Sequence, residues 1–223
     1  MTQMLLGISP EWIPTFSNFV AGRNGELLTV LESALSTNGS ERLLYIWGEQ
    51  GGGKSHLLQA MMQQAQGMGR HAVYACGRMP EGAADVVVVD DVEKLDEASQ
   101  IGLFAVYNQQ RESGGLLLVS GNAAPAQLQL RDDLRTRLGW GLVYQVQPLN
   151  DEEKAAALQQ HAAARGFSLP LEVTQYLLRH GRRDLPSLLA TLDALDERCL
   201  QMKRTPSVPL LKEVMNAGLR IED

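Results

Sequence analysis

The sequence predicts an α/β fold, a parallel sheet with helices between its strands, followed by a small all-helical domain. Three observations carry that expectation. Short apolar runs recur at residues 42–47, 71–76, 86–89, 116–119 and 142–146, each too unbroken to alternate, as suits parallel strands buried on both faces. Segments with apolar residues at helical spacing lie between them. Beyond Pro148 the helical spacing continues with no further strand candidate.

Taken in order, the run Arg42-Leu-Leu-Tyr-Ile-Trp47 ends in a glycine-rich loop, and Leu57, Leu58, Met61, Met62 and Ala65 then mark a helix over 54–66. This is strand, loop, helix. Ile101, Phe104, Ala105 and Tyr107 mark a crossover helix over 96–112, so the pattern is repeated βαβ. After Pro148, Asn150 is suited to cap a helix over 151–164 with acids in its first turn, and residues 170–180, 184–201 and 207–217 read as further helices. Gly166, Gly181 and Pro206 separate them. The expected division is a terminal peptide at 1–11, an α/β domain at 12–149 and a helical domain at 150–223.

Composition narrows the class. With 223 residues, 44% of them hydrophobic, the chain can bury one large core and a small second one. A net charge of −6 argues against gripping nucleic acid by overall charge, since neutralising phosphates needs a basic surface. Cys76 and Cys199 have neither disulfide-framework nor zinc-site spacing. No apolar run approaches the ~20 residues that span a bilayer, and the N-terminus lacks the pattern of a signal peptide. A cytoplasmic protein with no membrane partner is expected.

Chemistry concentrates at the ends of the strands. Gly48-Glu-Gln-Gly51-Gly52-Gly53-Lys54-Ser55 has phosphate-loop spacing and stands between an apolar strand and an amphipathic helix. The glycines let backbone N–H groups face phosphate, Lys54 can reach the β and γ oxygens, and Ser55 can ligate Mg²⁺. From the chain's own composition, roughly 0.004 accidental matches are expected, so an incidental glycine turn is a poor account. Asp90 and Asp91 close the run Val86-Val-Val-Val. Beside a phosphate loop, Asp90 is placed to hold the metal shell and Asp91 to orient a water, although two acids ending a strand also suit a solvated turn. Asn122 follows the next strand, where it suits either a γ-phosphate contact or a cap for the loop beyond.

A resemblance sharpens this reading. Thr15-Phe-Ser-Asn-Phe-Val-Ala-Gly22, the stretch GEQGGGKSHLLQA at 48–60, Leu103-Phe-Ala-Val-Tyr-Asn108 and Leu134-Arg-Thr-Arg137-Leu-Gly-Trp-Gly141 occur in the order seen in bacterial replication initiators of the DnaA type. Those initiators are AAA+ ATPases, so the resemblance implies an AAA+ phosphate-loop domain with a helical lid. The chain closely resembles one branch of them, the DnaA-related regulators of the Hda type. It ends where the lid does, and Gln3-Met4-Leu5-Leu6-Gly7-Ile8 resembles that branch's peptide for the DNA polymerase sliding clamp. As an extended docking strip, Gln3 would supply amide groups and Met4, Leu6 and Ile8 apolar anchors. A frayed terminus with a few apolar residues is the plainer alternative.

Carried over by position, the resemblance implies that Phe19, Val20 and Gly22 line an adenine pocket. It gives Gly48, Gly51, Gly52, Gly53, Lys54, Ser55 and His56 to the phosphate-loop region, Asp90 to the metal, Asn122 to the first sensor and Arg137 to the arginine finger. It implies ADP or ATP with Mg²⁺ as cofactors, ADP in the Hda branch. The implied partners are the DnaA initiator and the sliding clamp, without sequence-specific DNA binding by the chain itself. One position departs: Pro186 stands where the family has a second-sensor arginine, with Arg182 and Arg183 one turn earlier, either of which could swing toward the phosphates, Arg183 being the one assigned to nucleotide binding. That weakens the case for hydrolysis by the chain itself and favours a regulator that stimulates ATP hydrolysis by the initiator. The alternatives are an AAA+ ATPase that loads a helicase or remodels a partner through its own hydrolysis, a sequence-specific DNA binder and a small-molecule kinase.

Overall fold

Five strands, β1 (Leu43–Trp47), β2 (Ala72–Cys76), β3 (Val86–Asp90), β4 (Leu116–Gly121) and β5 (Leu142–Gln145), form one parallel sheet in the order β2-β3-β4-β1-β5. They are seen in a computed structural model that describes residues 13–36, 42–182 and 184–218. The three central strands are buried throughout except for the last residue of β1, as their unbroken apolar runs predict. Side chains divide between the two faces with the period of a strand. Leu44, Ile46, Val86, Val88, Leu116 and Leu118 pack on one side; Leu43, Tyr45, Val87, Val89, Leu117 and Val119 pack on the other. The outer strands differ from expectation. β5 alternates half-buried and exposed residues, because an edge strand here is covered on one face only, where Leu142 and Tyr144 meet the core while Val143 faces out.

Helices α1 (Gly25–Ala34) and α2 (Lys54–Gly67) cover the first face, and α3 (Glu97–Ser113) and α4 (Asp132–Leu138) cover the second. Helix α1 adds to the elements expected from the sequence and turns Leu27, Leu31 and Ala34 inward. Asp96 caps α3 by accepting from the Ser99 N–H, and Gly114 ends the helix in the left-handed conformation. Among the described residues, no helix is long and apolar enough to cross a membrane.

The helical domain consists of α5 (Asp151–Ala164), α6 (Leu171–His180), α7 (Leu185–Met202) and α8 (Val208–Gly218), with its own core of Leu158, Leu177, Leu192 and Leu211. A capping box of Asn150 and Glu153 starts α5. Arg165 joins α5 to α7, reaching Asp196 at 3.1 Å and Asp193 at 3.3 Å. Asn24 ties α1 to the segment leading into the lid. Its side chain donates to Gln147 O at 2.9 Å and accepts from Gln147 N at 2.7 Å while 3% exposed. Asn24→Ala strips both partners from a part-buried backbone unit and is expected to cost about 1–2 kcal/mol. A denaturant melt of the variant checks this, and an unchanged midpoint would contradict it.

Candidate functional site

The C-terminal ends of β1, β3 and β4 meet at one edge of the sheet, the edge at which open parallel sheets present ligand-binding groups. From β1 the chain enters the loop 48–53 and then α2. Gly51 and Gly53 have φ of +76° and +97°, and Gly53 in this conformation starts α2. A Cβ on Gly53 would lie 2.8 Å from the Phe19 ring, so glycine is required both by the backbone and by the space. Lys54 is 7% exposed and its ammonium donates to Gly48 O at 2.8 Å and Glu49 O at 3.0 Å. A buried cation held by loop carbonyls, glycines that a Cβ would overfill and the N-terminus of a 14-residue helix fit a nucleotide's phosphates. Lys54 and the loop N–H groups would hold them, and the exposed Ser55 would face the metal.

Asp90 is fully buried. Its Oδ2 accepts from the Tyr74 hydroxyl at 2.9 Å, and its Oδ1 accepts from the Asp91 N–H at 3.1 Å and from the Ser120 hydroxyl. β4 supplies Ser120 and β2 supplies Tyr74, so both neighbouring strands orient the carboxylate. Burial, with the Asp90 charge as a lesser cause, raises the Tyr74 hydroxyl above its ordinary value and keeps it a donor. Magnesium commonly takes one or two protein oxygens and fills its shell with phosphates and water. Ser55 and Asp90 are enough donors for such an ion.

Asp91 has φ +54° and its carboxylate lies 2.7 Å from Lys94 Nζ, with the Cys76 thiol donating to it at 3.5 Å. Partial burial works to raise the Asp91 carboxyl, but the Lys94 and Cys76 bonds outweigh it and hold the group below the usual carboxylate value. Its conformation and these partners serve the turn that follows β3. Asn122 is exposed, directly after β4.

The segment 19–22 runs along the base of α2 toward the lid. The Phe19 ring lies 5.4 Å from that of His56, whose Nε2 is 2.9 Å from Thr15 O. Burial lowers the His56 imidazole below its ordinary value, against the raising effect of the Thr15 bond. Val20 is half-buried, and Gly22, with φ +48°, comes against Leu149 and Glu153 at the start of the lid. The residues expected at an adenine site therefore sit where the phosphate-loop helix and the lid converge. At α7, Pro186 occupies the first turn, where its missing N–H costs nothing, and Asp184 is the cap. Arg182 Nε is 3.5 Å from Asp184 Oδ2 with its side chain 74% exposed. Arg183, and the terminal residues Gln3, Met4, Leu6 and Ile8, lie outside the described residues.

Arg137 belongs to a different place. It is carried by α4, whose Leu134 and Leu138 pack with α3 on the second face of the sheet, whereas α2 packs on the first. Its guanidinium lies 3.9 Å from the centre of the Trp140 ring and 5.6 and 5.7 Å from those of Tyr107 and Phe104. Trp140 is 59% exposed. An aromatic platform thus fixes a half-buried cation at the surface.

The structure brings together the loop 48–55, Asp90, Asp91 and the segment 19–22, and it places Arg137 in another layer. Sequence reasoning did not single out Tyr74 and Ser120 as Asp90 partners, Asp184 beside the loop, or the Trp140 platform. No local spacing carried a signal for the first two, because the contacts that set Tyr74 and Ser120 against Asp90 join residues 16 and 30 positions apart on separate strands.

Comparison with known proteins agrees with this anatomy. Residues 78–145 match the family model of the bacterial DnaA ATPase domain, and residues 151–215 match that of the Hda lid domain. Domain III of the Thermotoga maritima replication initiation protein DnaA superposes with a TM-score of 0.76 at 21% identity, covering 91% of this chain and 95% of that one. DnaA from Aquifex aeolicus bound to AMPPCP gives 0.71 at 21%, covering 82% of this chain and 65% of that one. A Thermotoga RuvB mutant gives 0.67 at 14%, covering 92% of this chain and 72% of that one. With a DnaA-type ATPase segment leading into an Hda-type lid, the chain belongs to the DnaA-related AAA+ proteins.

Proposed function

We propose that the chain is a nucleotide-loaded regulator of replication initiation that lends an arginine to the DnaA initiator. Residues 48–55 would bind ADP or ATP, with Mg²⁺ held by Ser55 and Asp90, and Phe19, Val20 and Gly22 would receive the base. The nucleotide, when bound, supplies the negative charge that Lys54 and the loop N–H groups neutralise. Arg137 would face ATP held by the initiator and meet the charge that develops on its γ-phosphoryl group, promoting hydrolysis there and restraining re-initiation.

The placement of Arg137 is the observation that carries this reading. It stands on the sheet face opposite α2, fixed on an exposed tryptophan, so it suits a nucleotide held by another molecule better than the chain's own. Hydrolysis by the chain itself has less support, since Asp91 is engaged by Lys94 and Pro186 offers no cation to a phosphate. Incubating the protein and DNA-loaded sliding clamp with ATP-loaded initiator should accelerate hydrolysis; absence of acceleration would refute the proposal.

The clamp enters through residues 3–8. A glutamine with spaced apolar anchors suits an extended strip docking in a pocketed surface. The chain would then act at replicated DNA through the clamp, without reading sequence itself. Deleting residues 1–8 is expected to abolish clamp binding in a pull-down while leaving the melting temperature unchanged. Retained binding would remove the tether.

A further inference from the structure

The two most exposed large apolar side chains among the described residues, Leu200 at 72% and Leu171 at 67%, both belong to the lid. They flank one cavity of about 570 Å³, which opens between the end of α7, the loop from α5 to α6 and the loop from α7 to α8. Its walls are mostly apolar, with Phe167, Pro170, Cys199 and Pro206 among them; Leu200 stands at its edge and Leu171 directly follows Pro170. An apolar patch of this kind, rimmed by polar groups, marks a contact surface. The rim is positive. Asp196, the acid in the wall, is taken up by Arg165 at 3.1 Å, whereas Lys203 and Arg204 are exposed and have no ion pair among the described residues. Lys203 ends α7 with φ +52°, the left-handed conformation that favours glycine at this position. A cationic side chain is thus kept at the mouth of the cavity where the backbone alone would be better served without one.

We propose that this groove of the lid binds an acidic segment of a partner protein, whose apolar side chains fill the cavity and cover Leu171 and Leu200 while its carboxylates meet Lys203 and Arg204. The two leucines lie outside the hollow, so the occupant has to cover the rim as well as fill the interior, which a peptide does and a small anion does not. Two adjacent cations without partners select acidic segments, because a basic one would face like charge. The groove is built wholly from the helical domain, at the C-terminal end of the 18-residue α7. Asp184, at the other end of that helix, lies roughly 20 Å away along it and is the residue that meets the phosphate loop at Gly51. Occupation of the groove is therefore compatible with a filled loop, and the inference stands apart from the readings of residues 48–55 and of Arg137.

The test is fluorescence anisotropy of a labelled synthetic peptide, Glu-Asp-Leu-Phe-Glu-Leu, titrated with the full chain. Saturable binding by the wild type is expected. Leu200→Ser changes an exposed side chain and leaves the fold intact, and it should weaken binding by about tenfold, as loss of a central apolar anchor does. Lys203→Gly should also weaken binding, yet raise the melting temperature by about 2 °C, because glycine takes the left-handed conformation without strain. A lysine kept for the fold alone would not give those opposite changes. No saturable binding by the wild type, or unchanged binding by Leu200→Ser, would overturn the proposal. Equal binding of the same peptide with its acids replaced by lysine would do so too, since the rim would then select nothing. Sedimentation of the chain alone supplies the last arm: a dimer that Leu200→Ser disperses would give the groove to a second copy and overturn the acidic partner.

Discussion

Arg137→Ala is expected to lower the clamp-dependent hydrolysis of initiator-bound ATP by about 10³–10⁵-fold, the range found for arginines supplied in trans to a γ-phosphoryl group. The size follows from what is removed. A guanidinium held in advance stabilises transition-state charge without reorganising, and no other described cation shares its aromatic seat. Nucleotide binding by the chain itself should stay near wild type, because α4 and α2 lie on opposite faces of the sheet. Trp140 adds a graded control. Trp140→Ala leaves the cation without its platform and should cost about tenfold, and Trp140→Phe should recover part of it. Measuring hydrolysis with saturating clamp and initiator separates these cases, and equal stimulation by Arg137→Ala and wild type would end the proposed mechanism.

Lys54→Ala is expected to weaken nucleotide binding by at least about 100-fold, since it removes a buried cation from the phosphate loop. Lys54 also holds Gly48 O and Glu49 O, so the substitution loosens the loop that presents the N–H groups. Titration with ADP measures the loss. Lys54→Arg is no conservative rescue, because the planar guanidinium cannot occupy the compact seat of an ammonium between two carbonyls. Near-wild-type affinity in Lys54→Ala would show that the loop does not bind phosphate through this residue.

Much of the fold was legible in the sequence because its signals are local. The valine run 86–89 and the leucine-rich 116–119 could be read as buried strands from their unbroken apolarity, and both are central. The phosphate-loop spacing was legible for the same reason: a tight turn, a helix start and a lysine all fall within eight consecutive residues. The run 142–146 misled as to burial, since apolarity reports a strand and cannot report whether a second face is covered. Helix α1 went unassigned because its short apolar stripe follows an irregular segment.

By itself the sequence determined a parallel α/β domain, a phosphate loop between a strand and a helix, and a helical lid, because each is written in consecutive residues and in the periods of strand and helix. Tertiary structure alone decided which groups face one another. Strand order brings Tyr74 and Ser120 to Asp90, and the two sheet faces part Arg137 from the loop. The packing of the lid sets Asp184 against Gly51. These contacts join residues far apart in the chain, and they depend on which layers stack and in what order, which no local spacing encodes.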